Sequence, residues 1–213
     1  MHLVVAVPFG MSVDARWYLD INSFARRTSW AHGFASDYAL WGGLVALSVL
    51  LVIGWLWGRQ QEDAPRAFAA VVLCGISTLV ALGVNHFISD AVSRQRPFLR
   101  FPHAETLISR AHDYSFPSDH CVIAGAFVVG LWLLDRRLGV IAAALAALLA
   151  FVRVYVGVHY PGDVAAGLAI GGAIAAAICL GLRRPATALA ERLMGTPLRP
   201  LVAAGPRPAP SPR

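Results

Sequence analysis

Lysine is absent from this chain of 213 residues, and all 18 basic residues are arginine. Codon bias in a GC-rich genome explains that pattern more simply than function does. The absence still removes the usual point-charge ligand for phosphate. Charge of either sign is scarce: 14% of residues are charged, against about 25% in an average soluble domain. Cysteine is scarce too, and Cys74, Cys121 and Cys179 each sit inside an apolar run. They have neither the spacing of a zinc site nor that of a disulfide framework, and read as small packing residues. No repeat of fixed period occurs. A basic patch is also missing, because the arginines stand at the ends of apolar runs and in the tail. The net charge of +6 therefore does not point to nucleic acid. Residues 1–10 are apolar but lack a basic n-region and a small-residue cleavage site, so no removed signal peptide is expected.

What the chain has instead is apolar length. Hydrophobic residues make up 57% of it, with a mean hydropathy of +0.61. Runs of about 20 apolar residues recur, the length that crosses a bilayer core of about 30 Å. The expected fold is all-α: a polytopic membrane helix bundle of about five transmembrane helices plus an N-terminal amphipathic helix. Spans are expected near 38–57, 67–89, 119–134, 138–158 and 163–182. Residues of about 14–35 mix arginines with Trp17, Tyr18, Ile21 and Phe24 at helical spacing, which suits an interfacial helix. Three regions follow: 1–35 as an N-terminal segment, 36–184 as the membrane domain, and 185–213 as a disordered cytoplasmic tail rich in Pro, Ala and Arg. Gly167 and Gly171 in the last span form a small-xxx-small pattern that permits close helix approach.

Arginine counting orients the spans. Arg59 and Arg66, then Arg136 and Arg137, then Arg183 and Arg184 fall on one face, assigned to the cytoplasm. The loop 90–116 and the turn near 159–162 then lie outside. Against the rule, that outer loop also carries Arg94, Arg96, Arg100 and Arg110, a cluster that needs another explanation.

Three short segments on the outer face supply one. In Arg96-Pro97, the proline ends a helix and presents a guanidinium fork matched to phosphate oxygens. In Pro117-Ser118-Asp119-His120, Ser118 is a good N-cap and Asp119 suits a first helical turn. A helix N-terminus also offers free backbone N–H groups to an anion, with His120 beside it as a proton donor. In the third segment, Arg153 lies in the last turns of an apolar span, where an ionisable residue costs a few kcal/mol unless it is paired or faces a polar cavity. His159 follows, and the turn Tyr160-Pro161-Gly162 returns Asp163 toward one imidazole nitrogen. The other nitrogen is left to act as nucleophile or base. Together these residues suit a site that binds and cleaves a phosphate ester without metal ligands.

The chain resembles the type-2 phosphatidic acid phosphatase superfamily of integral membrane lipid phosphatases, over roughly residues 36–182. That family's pattern is Lys-x6-Arg-Pro, Pro-Ser-Gly-His and Ser-Arg-x5-His-x3-Asp. Here it reads Ser89…Arg96-Pro97, Pro117-Ser118-Asp119-His120 and Val152-Arg153…His159…Asp163. The resemblance implies catalytic roles for His159 as nucleophile, Asp163 as its orienting carboxylate and His120 as acid. It implies that Arg96, Ser118 and Arg153 hold phosphate oxygens, with no metal and no other cofactor. Ser89 stands in the lysine slot, and Arg94 is the candidate to replace that ligand. Asp119 replaces the glycine and is placed with the substrate-binding group. The missing lysine, Asp119, Phe98, Asp113 and the run 115–120 resemble the bacitracin-resistance branch. That branch implies hydrolysis of undecaprenyl diphosphate at the outer face of a bacterial plasma membrane, with membrane lipids as the partners. Phosphatidylglycerol phosphate, phosphatidic acid or lipid A are the alternative substrates. A non-catalytic anionic-lipid binder or transporter is the alternative of another class, for which His120, His159 and Asp163 would be superfluous.

Overall fold

The structure is a computed structural model that describes residues 11–110 and 112–204. Residues 1–10, on which the signal-peptide expectation falls, and 205–213 at the end of the tail lie outside the described residues. All regular structure among the described residues is helical.

Helix α1 (Val13–Arg27) starts where Ser12 accepts a hydrogen bond from the Ala15 amide at 3.3 Å. Asp14 lies in its first turn and Arg26 and Arg27 in its last, both favourable to the helix dipole. From Ser29 to Gly58 one helical rod follows: a 3₁₀ turn, α2 (His32–Asp37), a π turn over Tyr38–Gly42 and α3 (Gly43–Gly58). Then come α4 (Ala64–Val92), the single turn α5 (Pro97–Arg100), α6 (Asp119–Leu134), α7 (Arg136–Tyr155), α8 (Pro161–Leu193) and the short α9 (Arg199–Val202).

All five expected spans are helices. Four stretches are long and apolar enough to cross a membrane by length and composition; α6, with 16 residues, is shorter. Apolar side chains such as Val49, Ile53, Leu79, Phe87, Ile141 and Leu180 are exposed on the outside of the bundle, as lipid-facing surfaces are. This is a multi-pass membrane protein.

The tail differs from expectation. Helix α8 continues through Arg183, Arg184 and Pro185 to Leu193, and α9 docks back on α3. There the Trp55 indole donates to the Leu201 carbonyl at 3.0 Å and the Ala204 amide to the Arg59 carbonyl at 2.9 Å. Ala186, Thr187 and Ala190 are partly or fully buried, so residues just past 184 pack rather than dangle. Composition alone hides that, because alanine serves helices and linkers equally well.

The centre of the bundle is α6 against α8. A Cβ on Gly171 would overlap the Val122 carbonyl, one on Gly125 the Leu168 carbonyl, and one on Gly167 the Ser118 carbonyl. The small-xxx-small pattern is therefore a true contact, and it brings the N-termini of α6 and α8 side by side. The C-terminal ends of α4 and α7 reach the same end of the bundle. All three phosphate-type segments consequently meet there, while Arg59, Arg66, Arg136, Arg137, Arg183 and Arg184 lie toward the other end.

Candidate active site

The turn between α7 and α8 carries His159. Gly157 makes it possible: its φ is +87°, and a Cβ there would strike the Glu105 carbonyl. Beyond it the Tyr160 amide donates to Asp163 Oδ2 at 2.8 Å, starting α8. His159 is 2% exposed, so nearly all its polar contacts come from protein.

Those contacts fix its tautomer. Nδ1 lies 2.8 Å from the Ser115 carbonyl, which can only accept, so Nδ1 carries the proton. On the other side Nε2 faces Arg153 Nη2 at 3.1 Å and Arg96 Nη1 at 3.4 Å. Guanidinium groups only donate, so Nε2 is the acceptor and keeps its lone pair. Both sides of the ring give the same answer. An unprotonated ring nitrogen thus stands between two guanidinium groups.

Each arginine is held in its own way. Arg96 donates from Nε and Nη2 to Asp113 Oδ1, at 2.9 and 2.7 Å, and from Nη1 to the Val158 carbonyl at 3.0 Å. Arg153 donates from Nη1 to the Ala39 carbonyl at 3.1 Å, while its buried Nε has no partner. Carboxylate pairing therefore holds Arg96, whereas Arg153 has a backbone carbonyl and the imidazole. Both line a cavity of about 220 Å³ with His159, His120, Ser89, Asp119 and Tyr114. His120 Nε2 sits 3.4 Å from the Leu40 carbonyl.

Residues 69–185 match the PAP2 superfamily, more than half of the chain. The chain belongs to that superfamily. It is similar to the undecaprenyl-diphosphatase BcrC of Bacillus subtilis, 33% identical over 135 residues that cover 63% of this chain and 65% of that protein. A lipid A 1-phosphatase of Rhizobium etli is 52% identical over 147 residues, 59% of each chain. The chain thus spans slightly less than two thirds of the length of these relatives. Among solved structures, a PAP2 type phosphatidylglycerolphosphate phosphatase from Bacillus subtilis has the same fold, with a TM-score of 0.57 at 20% identity, covering 83% of this chain and 89% of that one.

The other expected PAP2 site residues divide. Asp163 is buried beside the ring, but its Oδ2 is 3.7 Å from His159 Nδ1, and the imidazole proton goes to Ser115 instead. Ser118 is fully buried; its backbone begins α6, and its Oγ does not cap the helix. Asp119 lines the cavity with Oδ1 accepting from Asn85 Nδ2 at 2.6 Å. The expectation for Arg94 fails. Ser93, at φ +49°, turns the chain out of α4, and Arg94 lands at the start of α8 rather than in the cavity. There it donates to Asp163 at 2.6 Å and to Asp14 at 2.5 Å, and it lies 4.0 Å over the Tyr160 ring. Two carboxylates and an aromatic face outcompete the cavity. Ser89, in the lysine slot, does line the cavity.

Burial first, then the charges of Arg153 and Arg96, hold the His159 imidazole well below its ordinary pKa. Since the folded value is depressed, protonation of this ring lags behind that of an unfolded histidine as pH falls. The free protein should therefore keep His159 neutral through pH 6. Histidine ¹⁵N NMR should show a ring that fails to titrate in that range and whose signal is missing from His159→Gln. A His159 titration near 6.5 would contradict the geometry.

Proposed function

We propose that this PAP2 chain is an integral membrane lipid phosphatase that hydrolyses undecaprenyl diphosphate to undecaprenyl phosphate and inorganic phosphate. The observation that carries the reading is His159 Nε2, unprotonated and flanked by Arg153 at 3.1 Å and Arg96 at 3.4 Å inside a cavity shared with His120. A mere anion binder gains nothing from a nucleophile aimed between its cations.

In the proposed sequence the Nε2 lone pair attacks the terminal phosphorus, and the bond to the bridging oxygen breaks. His120 gives that oxygen a proton. Arg96 and Arg153 stabilise the charge on the equatorial oxygens, the main demand of phosphoryl transfer. Water then attacks the phosphohistidine, passing its proton to His120, and the N–P bond breaks to release phosphate. Asp163 serves the turn that carries His159, and Ser118 marks the helix terminus whose amides face the anion. No step needs a metal. By the positive-inside rule, the arginines at the far end support a site on the outer side of a bacterial plasma membrane. The lipid tail would remain among the spans.

Purified protein given undecaprenyl diphosphate in EDTA should release phosphate; folded protein that releases none would overturn the reading. The lipid A 1-phosphatase similarity favours a second substrate, lipid A phosphate. Competition between the two lipids would rank them, and the expected preference is for the diphosphate.

A further inference from the structure

Helix α1 precedes residues 69–185, the part that matches the family, and its sequence suggests only an interfacial helix. One face of it does more. Asp14, Tyr18 and Asn22 recur at four-residue spacing and so share a stripe. Each makes a polar contact with the segments that form the site.

Asp14 Oδ1 accepts from the Gly162 amide at 2.7 Å, and its Oδ2 from Arg94 Nη2 at 2.5 Å. Arg94 Nη1 reaches on to Asp163 Oδ1 at 2.6 Å. Tyr18, with no exposed surface, donates to the Gly157 carbonyl at 3.3 Å. Asn22 pairs both ways with the Glu105 backbone, at 2.8 and 3.0 Å. Gly157 and Gly162 bracket the turn that carries His159, so α1 grips that turn at both ends. Gly162 is part of the fit, since a Cβ there would lie 3.0 Å from the Asp14 carboxylate.

From this bridge we infer that Asp14 is a positioning residue for His159, supplied by the N-terminal helix and acting through Gly162 and the Arg94–Asp163 pair. It touches neither the cavity nor the imidazole. Its effect is on where the imidazole stands relative to the two arginines. The inference rests on the proposed role of His159 in turnover, but the geometry it predicts is measurable without substrate.

The test compares wild type, Asp14→Asn and Asp14→Glu in the full chain. Misplacing a reacting group by about 1 Å costs up to about 100-fold in rate. A loosened turn should cost less, so Asp14→Asn should lower kcat on undecaprenyl diphosphate about tenfold, with KM within about twofold. Asp14→Glu, which keeps the charge, should recover most of that loss. Without substrate, the His159 Nδ1–H resonance should exchange faster with water in Asp14→Asn than in wild type. Wild-type kcat per folded molecule together with an unchanged Nδ1–H resonance would overturn the inference, whatever happens to melting temperature. If wild type itself releases no phosphate, the functional reading fails. The resonance comparison then decides the positioning role alone.

Discussion

Replacing His159 with alanine is expected to lower turnover by about 10⁴-fold, while undecaprenyl diphosphate still binds. The magnitude follows from removing the attacking atom, so that only binding and electrostatic stabilisation remain. A factor of 10⁴ corresponds to about 5.5 kcal/mol of barrier. Binding should survive because the proposed phosphate ligands, Arg96 and Arg153, are held by groups other than the imidazole. Arg96 keeps Asp113 and the Val158 carbonyl, and Arg153 keeps the Ala39 carbonyl. Single-turnover phosphate release and binding of radiolabelled lipid, measured on the same preparation, separate the two quantities. Loss of both together, or turnover within tenfold of wild type, would contradict the assignment.

Arg153→Leu should separate activity from stability. Arg153 is 6% exposed, has no carboxylate within bonding reach, and leaves its Nε unpartnered. A buried charge in that state is a net cost to the fold, and apolar replacement of buried ions is often neutral or stabilising. Melting temperature should therefore hold or rise. Turnover should fall by about 10²–10³-fold, as when one donor to a developing oxyanion is removed. Arg153→Lys should not rescue it, since an ammonium cannot bond Ala39 and a phosphate as a planar fork does. Thermal melting in detergent and phosphate release read the two effects. A variant that is both unstable and active would show that Arg153 is a structural residue.

Much of the site is legible in the chain because its residues lie at span ends. A span must begin and end at the membrane surface, so counting spans and arginines already gathers Arg96, His120, Arg153 and His159 on one face. The α6–α8 contact is legible in Gly167 and Gly171 for a similar reason, since each needs only local spacing. The partners of these residues are not. Ser115, Ala39 and Leu40 act through backbone carbonyls, which no side-chain pattern announces. Asp113 and Arg94 belong to a loop whose path depends on a left-handed residue at Ser93 and on the carboxylates it meets. Arg94 shows the consequence: a guanidinium close in sequence to the site goes to Asp14 and Asp163 instead. Asp14 itself is far away in sequence, and only its spacing with Tyr18 and Asn22 hints at a shared buried face.

The proposed reaction requires Nε2 of His159 to form a bond to phosphorus. Rapid alkaline quenching of the protein during turnover of undecaprenyl diphosphate labelled in its terminal phosphate, followed by peptide mapping, tests that bond directly. The expected result is an acid-labile, alkali-stable phosphate on the peptide containing His159, formed and lost at rates compatible with kcat and absent from His159→Ala. Turnover without covalent label under those conditions, or label on another residue, would contradict it.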